Sequence, residues 1–100
     1  MIEKNLNIAV LIDGDNAQAK LSKEIFDEVS KYGKATIRRI YGDWTLTTMN
    51  SWKSLVNLYS INPVQKFSYT TGKNSTDSSM IIDAMDILHS KNVDGFCIVS

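Results

Sequence analysis

The run Asn7-Ile8-Ala9-Val10-Leu11-Ile12 is almost continuously apolar and stops abruptly at Asp13-Gly14-Asp15-Asn16. A short run of this kind, closed by turn-forming residues, predicts a strand buried on both faces. Three further short runs, β-branched or aromatic-rich and bounded by Gly, Pro, Asn or Asp, also predict strands: Ala35 to Tyr41, Pro63 to Phe67 and Asp94 to Val99, the last again near-continuously apolar. Between them the apolar residues recur at helical spacing. The first set is Leu21, Ile25, Val29 and Tyr32; the second is Met49, Trp52, Val56 and Tyr59; the third is Ile81, Ala84, Met85 and Leu88. Gly33 stops the first helix and Pro63 follows the second. Strand and helix therefore alternate. The pattern predicts an α/β fold with a mostly parallel sheet of about four strands and three helices on its faces.

One hundred residues suit one domain, taken as residues 1–100. Eleven basic and eleven acidic residues cancel, so bulk charge names no partner. A single cysteine, Cys97, excludes an internal disulfide. With one histidine, His89, it also cannot close a zinc site. The leading apolar run is too short for a membrane span and has no cleavage-like flank. Together these features predict a soluble, cytoplasmic chain in a reducing compartment.

In open parallel sheets, ligands sit beyond the carboxyl ends of the strands. Asp13 and Asp15 follow the first predicted strand, Asp43 follows the second, and Asp77 follows the third after a polar loop. Asp77 also extends the stripe Ile81, Ala84, Leu88 of the third helix, which predicts that it points inward. Each site also has a plainer reading, Asp77 as a helix N-cap and residues 13–16 as a turn. Carboxylates converging on one rim repel one another, however, and hard cations such as Mg²⁺ or Mn²⁺ relieve that repulsion by taking oxygen ligands. Asp83 shares a helix face with Met80 and Ile87, which suggests partial burial, whereas Asp86 reads as a solvated charge. His89 reads as a charge at a helix end and Cys97 as core.

The zero net charge hides a division along the chain. Residues 1–34 sum to −1, residues 35–74 to +4 and residues 75–100 to −3. Six of the nine aromatic residues fall in the basic middle. Cations beside aromatic rings suit single-stranded nucleic acid, whose phosphates and bases they respectively hold and stack upon. Trp52 and Tyr59 lie on an apolar helical stripe and read as core, which leaves Trp44 and Tyr69 as the candidate stacking residues. Arg38 and Arg39 are neighbours within a strand and must face opposite sides.

The runs IAVLIDGDN (8–16), YGDW (41–44), YTTGKNSTD (69–77), IDAMDIL (82–88) and VDGFCIVS (93–100), in this order, resemble the NYN domain, and within it the bacterial LabA-like branch of the PIN-like nuclease group. The resemblance implies a Rossmann-like domain that binds Mg²⁺ or Mn²⁺ and hydrolyses RNA phosphodiesters. It implies Asp13 and Asp77 as metal ligands, with Asp83 as a third acidic candidate for catalysis. Asn16 and Asn74 would orient ligands or phosphate, and Lys73 would neutralise a phosphate. Family members continue into a further acidic motif, helix and strand, so the resemblance also implies a domain cut short at its C-terminus.

Two other functions compete. A haloacid-dehalogenase-like phosphatase would use Asp13 as nucleophile and Asp15 as acid, although Asn16 and Ala17 stand where that family has Thr or Val. A non-catalytic RNA-binding or oligomerisation module would use an uncovered apolar sheet face to form a homodimer.

Overall fold

The computed structural model describes residues 6–66 and 75–100, with side chains described for 6–66 and 79–100. Four strands form one parallel sheet among these residues: β1 (Asn7–Asp13), β2 (Lys34–Gly42), β3 (Asn62–Gln65) and β4 (Gly95–Val99). Three helices connect them: α1 (Ser22–Ser30), α2 (Asn50–Leu58) and α3 (Ser75–Ser90). Short 3-10 turns at Ala19–Leu21 and Thr47–Met49 lead into α1 and α2. The α/β alternation read from the sequence is therefore the observed one, with the third strand ending at Gln65, before Phe67.

The strand order is β3-β2-β1-β4. The chain moves outward from β1 through β2 to β3, then α3 carries it back across to the other side of β1. Because crossovers between parallel strands are right-handed, reversing direction puts the returning helix on the opposite face. The core divides accordingly. Ile8, Val10, Ile12 and Ile40 point to the face covered by α1 and α2, where Val29, Met49 and Trp52 are buried. Ala9, Leu11 and Tyr41 point to the other face, against Met80 and Ile87 of α3.

A bulge sets the phase of β2. Ile8 pairs with Ala35 but Ala9 pairs with Ile37, so Thr36 is an extra residue. Ala35 consequently packs on the α1 side and Ile37 on the α3 side, although they are two apart. Beyond the bulge the alternation is regular, and it sends Arg38 and Arg39 to opposite faces. The Arg38 guanidinium lies 5.1 Å from the Phe26 ring centre and donates to the Tyr59 carbonyl. Phe26 and Tyr59 stack at 5.0 Å, tying α1 to the end of α2.

Two expectations need correction. The stripe of α3 that faces the sheet is Met80, Ala84 and Ile87, while Ile81 and Leu88 are each 59 % exposed. The predicted stripe through Ile81, Ala84 and Leu88 is rotated from the observed one because α3 is apolar nearly all round, and spacing alone cannot choose between its faces. β4 is also less covered than its composition suggests: Ile98 is 55 % exposed on this edge strand, where β1 buries nearly every residue.

Candidate active site

Asp13 ends β1, one of the two inner strands, and β1 is where the strand order reverses. Such a switch point leaves a crevice at the carboxyl ends of the strands, because the loops on either side leave in opposite directions. A groove of about 500 Å³ lies here, between α3 and the β1–β4 edge, with Asp13 and Ser100 among its lining residues. The rest of its wall is apolar, including Ala84, Met85, Phe96 and Ile98.

Asp13 itself is 2 % exposed and held by its own loop. Its Oδ1 accepts the backbone N–H of Asp15 at 3.2 Å, and its Oδ2 accepts Asn16 Nδ2 at 2.7 Å. Its carbonyl accepts from the Asn16 and Ala17 amides, closing a turn. The turn reading and the functional reading of residues 13–16 are thus compatible, since the same turn bonds orient the carboxylate. An ionised carboxylate offers about four lone-pair sites, and two remain after these bonds. That capacity fits a hard divalent cation.

Glycine at position 14 is required by crowding. A Cβ there would lie 2.7 Å from Met49 Cε and 3.0 Å from the Tyr41 carbonyl oxygen. The Gly14 amide donates to that same carbonyl at 2.7 Å, clamping the Asp13 loop onto β2.

Around this point the rim is polar, as expected, and its members are paired. Lys66, directly after β3, donates from Nζ to Asp15 Oδ2 at 3.4 Å. Asp43 Oδ1 accepts from the Thr45 hydroxyl, the Thr45 amide and Gln65 Nε2. These bonds, Thr45 first and Gln65 next, hold the Asp43 carboxyl below the usual carboxylate range. Trp44 donates its indole N–H to the Val64 carbonyl at 3.2 Å and packs on the α1–α2 core, so its ring fastens β3 to the loop after β2.

On the α3 face, Asp83 Oδ2 accepts the Tyr41 hydroxyl at 2.6 Å and Arg39 Nη1 at 3.2 Å. Tyr41 is 1 % exposed and is the register partner of Asp13, so this cluster begins one strand away from the rim carboxylate. Burial first, and the Asp83 carboxylate second, push the Tyr41 phenol well above its ordinary value, with Arg39 opposing.

The predicted residues thus fall into three groups. Asp13 and Asn16 are joined by a hydrogen bond at the switch point. Asp83 and Trp44 are placed but engaged by Tyr41, Arg39 and Val64. Tyr69, Lys73 and Asn74 lie outside the described residues, as does the side chain of Asp77. Helix α3 starts at Ser75, so Asp77 stands within its first turn rather than ahead of it. Among the described residues no group of three acidic, histidine or cysteine side chains is disposed to hold a metal. Asp86 and His89 are exposed, as their plainer readings require. Sequence reasoning missed Lys66, although its position directly after a strand is the signal that singled out the aspartates. Tyr41 and Arg39 were missed because their partner lies more than forty residues away, as the separation of 42 for Tyr41 and Asp83 shows.

A parallel α/β sheet with a buried carboxylate at its switch point defines a Rossmann-like domain, a fold consistent with the PIN-like kind. The sequence model of the NYN domain matches residues 7–100, and the chain belongs to that family. The NYN family is one of nucleases that typically use divalent metals and bind RNA. No curated protein and no solved structure matches the chain. No helix among the described residues is long and apolar enough to cross a membrane.

Proposed function

We propose that the chain is a metal-dependent ribonuclease domain acting on single-stranded RNA. The observation that carries this reading is Asp13: a buried carboxylate, oriented by two hydrogen bonds, opening onto a groove at the switch point of an NYN chain. Asp13, with Asp77 from the first turn of α3, would hold Mg²⁺ or Mn²⁺. A divalent ion so bound lowers the pKa of water and stabilises the charge that develops on a phosphate in transfer. The chain's own residues then have separable tasks. Asn16 holds one oxygen of Asp13 and the Asp15 amide holds the other, which together orient the carboxylate. Lys73 and Asn74 would meet the phosphate, and Tyr69 would meet the bases. The runs at 69–77 and 82–88 support placing the chain in the LabA-like branch, and one cysteine fits a cytoplasmic setting.

The test is hydrolysis of a labelled single-stranded RNA with Mn²⁺ by the chain and its Asp13→Asn variant. Cleavage that needs Mn²⁺ and disappears in the variant supports the proposal. Equal cleavage by both sinks it. The NYN match favours this nuclease over a phosphatase with Asp13 as nucleophile. One observation favours a second reading, a homodimer: β4 is an edge strand with Ile98 exposed, and such edges invite pairing. A monomer by light scattering at high concentration would count against it.

A further inference from the structure

Helix α3 carries two apolar stripes. With about 100° per residue, Met80, Asp83, Ala84 and Ile87 fall within one arc of about 100°, and Ile81, Ala84, Met85 and Leu88 fall within another, centred about 100° away. The second stripe is the more apolar, since it holds three large hydrophobic side chains and no charge. Packing by hydrophobicity alone would turn it toward the sheet. The structure does the opposite: Met80 and Ile87 are buried, at 6 % and 5 %, while Ile81, Met85 and Leu88 are all more than half exposed.

The feature that distinguishes the buried stripe is Asp83. Its carboxylate is met from the sheet by two donors on alternate residues of β2, the Tyr41 hydroxyl at 2.6 Å and Arg39 Nη1 at 3.2 Å. Both reach the same oxygen, Oδ2. Asp83 is the acceptor for the Tyr41 hydroxyl proton, and a buried phenol left without an acceptor is costly. A rotation of α3 by 100° would therefore strand the hydroxyl inside the core and separate the ion pair. Buried polar contacts of this kind act as selectors between near-equivalent packings.

We propose that Arg39, Tyr41 and Asp83 form a clasp that selects the face α3 presents to the sheet and so fixes its first turn, with Asp77, at the carboxyl rim. Asp83 is then a positioning residue and not a metal ligand. The part of this statement that concerns Asp77 and metal rests on the nuclease reading above; the part that concerns helix rotation does not.

The experiment separates the two. Ile87→Cys and Leu88→Cys are made singly, each in the otherwise unaltered chain and with Tyr41→Phe plus Asp83→Asn. Alkylation at each site is followed by mass spectrometry, with Cys97 as internal reference. With the clasp intact, the thiol at position 88 should react at least about tenfold faster than that at 87, because a buried site reacts only through local opening. Without the clasp the ratio should fall below about threefold or invert, as it does when both faces are sampled. Tyr41→Phe alone, the gentler change, should move the ratio in the same direction. An unchanged ratio in the folded double variant overturns the clasp. Mn²⁺ titration calorimetry then addresses Asp83: Asp83→Asn should retain weakened binding, whereas Asp13→Asn should lose it. Complete loss in Asp83→Asn with an unchanged labelling ratio would make Asp83 a ligand and overturn the assignment. If the unaltered chain binds no Mn²⁺, the nuclease reading fails while the labelling ratio still decides the clasp.

Discussion

Replacing Tyr41 by Phe should produce a stability deficit that depends on pH in a defined way. The ring is 1 % exposed and its hydroxyl donates to Asp83 at 2.6 Å, so the substitution removes one hydrogen bond to a charged acceptor without opening a cavity. Such bonds contribute about 1.5–3 kcal/mol. Asp83 keeps Arg39, and its side chain is 30 % exposed, so water can replace part of the loss. We expect a deficit of about 1–2 kcal/mol at pH 7, or a melting point lower by about 4–16 °C for a domain of this size. Above pH 10 the wild-type chain bears an extra cost. Its phenol stays protonated in the folded state, held up by burial and by the Asp83 carboxylate, while the same phenol in the unfolded chain ionises near its ordinary value. The unfolded state then binds fewer protons than the native state, and stability falls as pH rises, by at most about 1.4 kcal/mol per pH unit from this group. The Phe variant has no such term. Lysines and the other tyrosines titrate in both proteins and cancel in the difference. The two stability curves should therefore converge near pH 11, within about one unit above the ordinary tyrosine range. Urea unfolding followed by fluorescence of the buried Trp52, from pH 7 to about 11.5 at constant ionic strength, reads this directly. A deficit that stays constant above pH 10 would refute the reasoning, because it would mean that the phenol ionises as freely folded as unfolded.

Three shorter predictions address the rim and the edge strand. Gly14→Ala should cost about 1–3 kcal/mol, since the new methyl meets a backbone carbonyl as well as Met49; combining it with Met49→Ala, in a double-mutant cycle, should recover only the side-chain part, and full additivity would contradict the crowding. Lys66→Met should change stability by no more than about 1 kcal/mol, as expected for a partly exposed pair at 3.4 Å. Calorimetry should find Mn²⁺ bound more tightly in that variant, by about two- to fivefold, because a cation has left the rim; weaker binding would show that Lys66 supports the site. Burial pushes the Cys97 thiol up, so alkylation of the native chain at pH 7.5 should run about tenfold slower than in urea, and equal rates would place the thiol in water.

How far the sequence revealed this molecule depends on the range of the interaction concerned. The strands were legible because each is a short β-branched or aromatic-rich run bounded by Gly, Pro, Asn or Asp, and the opposite orientation of Arg38 and Arg39 follows from simple alternation. The position of Asp13 was legible for the same local reason, since an apolar strand running into Asp-Gly-Asp-Asn marks a strand end. Thr36 gave no sign that it is the extra residue of a bulge, because its neighbours Ala35 and Ile37 suit either face. The orientation of α3 was misjudged for a related reason: seven apolar residues between Met80 and Leu88 leave no polar face to count against. Trp44 looked like a loop residue free to stack on a base, but its indole N–H finds the Val64 carbonyl, twenty residues away.

The same distinction separates the two halves of the candidate site. Asp13 is oriented by donors two and three residues along the chain, so its geometry is a property of one turn and survives as long as Gly14 lets that turn sit on β2. Helix α3 depends on contacts from residues 39 and 41, reached only when the helix has crossed to the opposite face of the sheet. A short-range arrangement forms with little loss of chain entropy, whereas a long-range one holds only while the crossover is docked. Perturbations remote from the rim should therefore act on the proposed metal site through α3, by freeing its first turn, and leave the Asp13 turn intact. The clasp is the point at which the sheet's own residues exert that control. Tyr41 makes the connection in one side chain, since its backbone carbonyl receives Gly14 beside Asp13 while its hydroxyl holds Asp83 on the helix.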